Sequence, residues 1–118
     1  MQSKRPERVS GLLKEEIGQL IQRGLKDPRI GFVTITEIVL SRDLRHAKVF
    51  FSSYGDEEAK LRSLEGLRSA LGFIRGELGR RLDLRFIPEL DFRIDNSVEY
   101  AFHIEEVLHQ MKKESREE

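Results

Sequence analysis

Arg62-Ser63-Leu64-Glu65-Gly66-Leu67-Arg68-Ser69-Ala70-Leu71-Gly72-Phe73-Ile74 reads as a leucine-striped helix, broken at Ala70-Leu71-Gly72 and resumed at once by Phe73-Ile74-Arg75. A glycine inside a helical pattern costs about 1 kcal/mol relative to alanine, so one at the break needs a local reason. Leu61, Leu64, Leu67 and Leu71 carry the apolar face up to the break, and Ile74, Leu78 and Leu82 form a new stripe beyond it. Two helices in succession between strands make a crossover, and a crossover brings the next strand back in parallel.

The flanking segments supply those strands. Phe32 to Leu40 is rich in Val, Ile and Thr, with Val33 and Ile35 in one apolar phase and Ile38 and Leu40 in the other. The phase change predicts a bulge near Glu37. Ser41-Arg42-Asp43-Leu44 has turn chemistry, and Ala47, Val49 and Phe51 alternate in the strand that follows, so the two pair as an antiparallel hairpin. Asp56 is placed to cap the striped helix. After Pro88, Leu90, Phe92 and Ile94 alternate with Asp91, Arg93 and Asp95, the cleanest strand pattern in the chain. A helix precedes all this, with Val9, Leu12, Leu13, Ile17, Leu20 and Ile21 at helical spacing, Pro6 in its first turn, and Gly24 and Pro28 at its close. A last helix follows Asn96 and Glu99, which form a capping box, with Ala101, Ile104, Leu108 and Met111 as its inner face. The predicted fold is α+β: a three-stranded sheet covered by helices, in the order α-β-β-α-kink-α-β and a C-terminal helix. Residues 1–112 form one domain, and 113–118 a polar, frayed tail.

Composition narrows the function classes. A chain of 118 residues has room for one core. Charged residues reach 36%, above the usual quarter, yet formal net charge is zero. Neutral balance argues against a nucleic-acid partner, but the distribution does not. Arg62, Arg68, Arg75, Arg80, Arg81 and Arg85 face only Glu65, Glu77 and Asp83 in the same stretch, while the tail from Glu105 to Glu118 is mainly acidic. A basic face is one reading; a solvated surface of ion pairs is the other. With no cysteine, disulfides and thiolate chemistry are excluded. Glu7, Glu15 and Glu16 interrupt the beginning of the chain, and no apolar stretch approaches the ~18 residues of a bilayer span. A soluble cytoplasmic protein without a membrane partner is expected.

Catalysis finds little support. His46 falls at a strand edge, and His103 and His109 are not spaced to share a helix face as a ligand pair. No nucleophile elbow, phosphate loop or dinucleotide fingerprint occurs. Asp43, Asp91 and Asp95 are explained by turn capping and solvation of a strand face. No catalytic residue, metal, cofactor or small-molecule substrate is expected. Arginine outnumbers lysine two to one, and its planar fork matches phosphate oxygens. Arg42, Arg45 and Lys48 lie on the hairpin, and Arg68, Arg75, Arg80 and Arg81, with Arg85 close behind, surround the broken helix. The helix restarting at Gly72 offers unpaired amides to an anion. An RNA-binding surface is expected where these elements meet in one groove. An adaptor working through the last helix and the acidic tail is the alternative.

Several motifs in order carry a resemblance to a known family: Asp27-Pro28-Arg29-Ile30-Gly31 before Val33-Thr34-Ile35-Thr36, Ser41-Arg42-Asp43-Leu44, His46-Ala47-Lys48-Val49, Gly72-Phe73-Ile74-Arg75, Leu84-Arg85-Phe86-Ile87-Pro88-Glu89-Leu90 and Asp95-Asn96-Ser97. From about Arg8 to Ser97 the chain resembles the ribosome-binding factor A family, bacterial small-subunit maturation factors with a type II KH-like domain. The resemblance implies that Ala70-Leu71-Gly72 is the Ala-x-Gly kink this family carries where other KH domains have a G-x-x-G loop. It also implies binding of the free 30S subunit and its 16S rRNA, help in maturing the RNA's 5′ end, a role in the cold, release with an assembly GTPase, and action as a monomer. Ala70 restores a Cβ that the open loop lacks, so contact with a folded RNA is expected in place of single-strand clamping.

Overall fold

The computed structural model describes residues 5–23, 25–97 and 104–112. Helix α1 (Arg5–Gln22) buries Val9, Leu13, Ile17 and Leu20, spaced three or four apart, while Leu12 falls outside that phase and stays exposed. Strands β1 (Val33–Leu40) and β2 (His46–Ser53) form the antiparallel hairpin, from Val33 opposite Ser53 to Leu40 opposite Ala47. The register shifts between Ile35 and Glu37, leaving Thr36 as the extra residue. That bulge puts Val33, Ile35 and Ile38 on the buried face despite the change of phase. The Thr36 hydroxyl donates to Asp95 Oδ2 at 2.6 Å, which ties the bulge to the end of the last strand.

Helix α2 (Glu57–Ser69) starts with the Asp56 carboxylate accepting from Ala59 N at 2.8 Å. Helix α3 (Leu71–Arg81) follows, and β3 (Glu89–Ile94) returns parallel to β2, with His46 beside Glu89 and Phe51 beside Ile94. The sheet order β1-β2-β3 is what the double-helix crossover predicts. Ala47, Val49, Phe51, Leu90 and Phe92 complete the sheet's buried face, and α1, α2 and α3 cover it with Leu13, Ile17, Leu67, Ile74 and Leu78. The other face is open to solvent and carries Thr34, Lys48, Asp91 and Arg93.

The inner face of α2 differs from the expected leucine stripe. Leu67 is buried, but Leu61 is exposed, and Lys60, Ser63 and Gly66 turn inward. The reason is what α2 packs on. Ser63 Oγ accepts from Gly31 N at 3.1 Å and lies 3.2 Å from Ser53 Oγ, so a hydroxyl satisfies the backbone of the loop before β1. At Gly66 a Cβ would stand 2.6 Å from Ile30 Cγ1, so the loop's close approach requires glycine there.

Residues 104–112 are helical, but Ile104, Leu108 and Met111 do not form an inner face: all are exposed, as is Val107. Three helices already cover the apolar side of the sheet, which leaves no core surface for this one. Glu99 of the expected capping box, Ala101, Gly24 and the tail 113–118 lie outside the described residues. Among the described residues no helix is long and apolar enough to cross a membrane.

Candidate nucleic-acid interface

The break is one residue wide. Ala70 (φ −85°, ψ 2°) ends α2 and starts α3, and no side chain caps α3. Ala70 N donates to Gly66 O at 3.0 Å and Ile74 N to Ala70 O at 2.9 Å, so the ladder closes on both sides. Gly72 does not have the local reason the sequence called for. Its φ is not left-handed, and a Cβ built on it meets nothing within 4 Å. Its lack of a side chain therefore leaves room outside the molecule, not within it. Gly72→Ala is expected to stabilise the free protein by about 0.5–1 kcal/mol, because alanine is the better helix former. Urea unfolding checks this, and a lower midpoint would contradict the open surroundings.

A groove runs beside the break, with Leu25, Lys26 and Asp27 on one wall and Ser69, Ala70 and Phe73 on the other. Phe73 is 57% exposed at its edge, out of phase with the buried Ile74 and Leu78. Asp27 fixes the first wall. Its carboxylate accepts from Arg29 N at 2.9 Å, Nε at 3.0 Å and Nη2 at 2.7 Å, and Arg29 reaches on to Glu65 of α2 at 3.6 Å. These bonds from Arg29 hold the Asp27 pKa at about 2 and raise that of Arg29. A lowered carboxylate pKa means stability that is present above the unfolded value near 3.8 and lost as pH falls through about 2. Asp27→Asn is therefore expected to lower the urea midpoint at pH 7, with the gap from the native chain closing between pH 4 and pH 2. A gap of constant size across that range would count against the brace.

The sequence-predicted cations do not share one groove. Arg68 is exposed on α2 beside the break, and neither it nor Lys26 has an ion-pair partner among the described residues. Three others use their donors internally. Arg75 Nη2 donates to Ile87 O at 2.9 Å and its buried Nε has no partner among the described residues. Arg80 pairs with Glu77, and Arg81 lies 3.5 Å from both Glu77 and Glu16. Lys48 stands on the open face of the sheet, on the side away from the helices. Arg42, Arg45 and Arg85 gather at the hairpin turn, with the Arg45 and Arg85 guanidiniums 5.7 and 5.5 Å from the Phe86 ring. The helix restart, Arg68 and the hairpin arginines were visible in the sequence. Nothing local in the sequence marks Lys26 or Phe86, which lie in irregular segments, whereas Phe73 stands out as an aromatic out of phase with Ile74 and Leu78.

The three aspartates singled out in the sequence each serve local structure. Asp43 accepts from Ser41 Oγ at 2.6 Å and Arg45 N at 3.1 Å, and these bonds lower its pKa. Asp91 pairs with Arg93 at 2.9 Å, and Asp95, lowered by its bonds from Thr36 and Ser97, closes the turn after β3. His46 Nδ1 lies 3.6 Å from Glu89 on the paired strand.

A three-stranded sheet in the order β1-β2-β3, helices on one face and a one-residue break between α2 and α3 define a type II KH-like domain. The chain belongs to the ribosome-binding factor A family, whose sequence pattern matches residues 5–108. It is 46% identical over 114 residues to ribosome-binding factor A of Halothermothrix orenii, covering 97% of this chain and 93% of that one. The crystal structure of ribosome-binding factor A from Thermus thermophilus superposes with a TM-score of 0.66 at 28% identity, over 75% of this chain and 94% of that one. A Thermotoga maritima protein described as a putative ribosome binding factor A, solved by NMR, gives 0.68 at 31% identity, over 79% of this chain and 90% of that one. The Thermus thermophilus factor, as a homology model fitted into the cryo-EM map of its complex with the 30S subunit, gives 0.61 at 29% identity, over 74% and 91%.

Proposed function

We propose that this protein binds the free, immature small ribosomal subunit by laying the α2–α3 break against 16S rRNA and assists late maturation of that RNA, including its 5′ end. The observation that carries the reading is the break itself: an uncapped helix start at Leu71, an open position at Gly72, and Lys26 and Arg68 beside it. Amides at a helix N-terminus and nearby cations suit a phosphate backbone. Arg68, Ala70, Leu71 and Gly72 make the contact, and Arg75, Arg80 and Arg81 add to the local field while their donors bind within the chain. The relative fitted into a 30S complex supports the choice of subunit. No bond-making step is required. A protein that binds one RNA conformation more tightly than another shifts the folding equilibrium by that difference in affinity. Such a bias matters most in the cold, where misfolded RNA helices persist, and release follows when the mature RNA, or an assembly GTPase, removes the preferred conformation. The cytoplasm and a monomeric state fit this role.

A second reading has one observation in its favour. Ile104, Val107, Leu108 and Met111 form an exposed stripe, as an adaptor helix would present to a protein. Salt separates the two. Co-sedimentation with free small subunits that is lost at high salt, and absent with assembled ribosomes, supports the RNA contact. Binding that persists in high salt overturns it in favour of the adaptor.

A further inference from the structure

Phe86 lies 57% exposed at the hairpin-turn end of the molecule, away from the loop that leads into β1 and walls the break. Two guanidiniums lie near its ring, with Cζ of Arg45 at 5.7 Å and of Arg85 at 5.5 Å from its centre, and neither has a carboxylate partner among the described residues. More than half of the residue is exposed to solvent.

The surrounding backbone is rigidly held. Arg45 O accepts from Glu89 N at 2.8 Å, Arg45 N donates to Asp43 Oδ1 at 3.1 Å, and His46 N donates to Ser41 Oγ at 3.1 Å. Leu44 between them has φ +62°, a left-handed conformation that costs a leucine on the order of 1 kcal/mol or more. Strain of this kind is kept where the neighbours over-determine it, and here it sets the direction in which Arg45 leaves the turn. Beside the ring is a cavity lined by Val9, Leu44 and Leu84, with Asp43, Arg5 and Arg85 also in its wall. Asp43, whose Oδ1 accepts from Ser41 Oγ and Arg45 N, offers its other oxygen to the amino edge of a base. The Arg45 and Arg85 guanidiniums suit the phosphates on either side of that base.

We propose that Phe86, with Arg45 and Arg85, is a stacking site for one unpaired base of an RNA strand, separate from the helix break. It rests on the RNA reading above and adds a second point of contact, one that a phosphate-only surface lacks. A protein partner is disfavoured because two cations beside the ring, without carboxylate partners among the described residues, fit a polyanion. The test uses the full chain and a ten-nucleotide single-stranded RNA with 2-aminopurine at its centre, read by fluorescence. The native chain and Phe86→Tyr are expected to quench the probe. Phe86→Ala is expected to lose the quenching and weaken binding roughly five- to hundred-fold, with an unchanged salt slope, since stacking releases no counterions. Its thermal midpoint is expected to match the native chain, because the ring is exposed. A native chain that leaves the probe unquenched overturns the proposal, as does Phe86→Ala binding and quenching like the native chain. So does a Phe86→Ala chain that loses subunit association while keeping the oligonucleotide, which assigns the ring to a ribosomal protein. Failure here with salt-sensitive subunit binding intact removes the stacking site alone; loss of that binding from the native chain removes the RNA reading itself.

Discussion

Replacing Lys26 and Arg68 together by glutamate is expected to weaken association with free small subunits on the order of a hundredfold at moderate salt. Each is an exposed cation beside the break, without an ion-pair partner among the described residues, so its donors are available to a phosphate. A hydrogen bond to a charged group contributes roughly 1.5 kcal/mol or more, and two such losses together reach that factor. The slope of log affinity against log salt is expected to become shallower by roughly 0.7 to 0.9 for each lost phosphate contact. Stability is expected to change by less than about 0.5 kcal/mol, as for other exposed substitutions. Two controls sharpen the result. Arg80→Glu removes a guanidinium already paired with Glu77 and should cost much less. Lys48→Glu, on the open face of the sheet, should cost nothing measurable. An equal loss at Lys48 would move the contact to the wrong side of the molecule.

Phe92→Ala is expected to give the largest loss of stability, about 3–5 kcal/mol. Phe92 is fully buried in β3, beside Val49 of β2. Truncation removes apolar area from the parallel strand that closes the sheet and leaves a cavity against the helices that cover it. For a domain of this size each kcal/mol moves the thermal midpoint by roughly 4 °C or more, so unfolding is expected at least about 12 °C lower. The urea midpoint should fall with little change in slope. Leu61→Ala makes the contrast: the sequence places Leu61 in the same apolar class, but it is exposed, and a change within about 0.5 kcal/mol is expected.

Leu61 also shows where the sequence stops being readable. Alternation in β2 and β3 can be read directly, because a strand's two faces differ by one residue and the core takes every second side chain. The bulge was readable from the change of phase after Ile35, and the parallel return of β3 from the two helices before it. The face of α2 was not, because it packs on the backbone of a loop more than thirty residues earlier, where Ser63 and Gly66 fit better than leucine. Ile104, Leu108 and Met111 have the same periodicity as a core helix; periodicity cannot say that three other helices already fill the core. The site divides in the same way. Arginines can be counted in a sequence, but the Arg81–Glu16 pair and the Arg75–Ile87 bond exist only once α3 is folded against α1 and the segment before β3. Nothing local in the sequence marks Lys26; the fold brings it to the break.

The most direct test of the account tethers a cleavage reagent to the protein, which has no cysteine of its own. Ser69→Cys, at the break, and Thr34→Cys, on the open face of the sheet, would each carry an iron chelate that cuts nearby RNA when bound to free small subunits. Cuts in 16S rRNA from position 69 and none from position 34 are the predicted result. Cuts from position 34 with none from position 69 would show that the sheet, and not the helix break, faces the RNA.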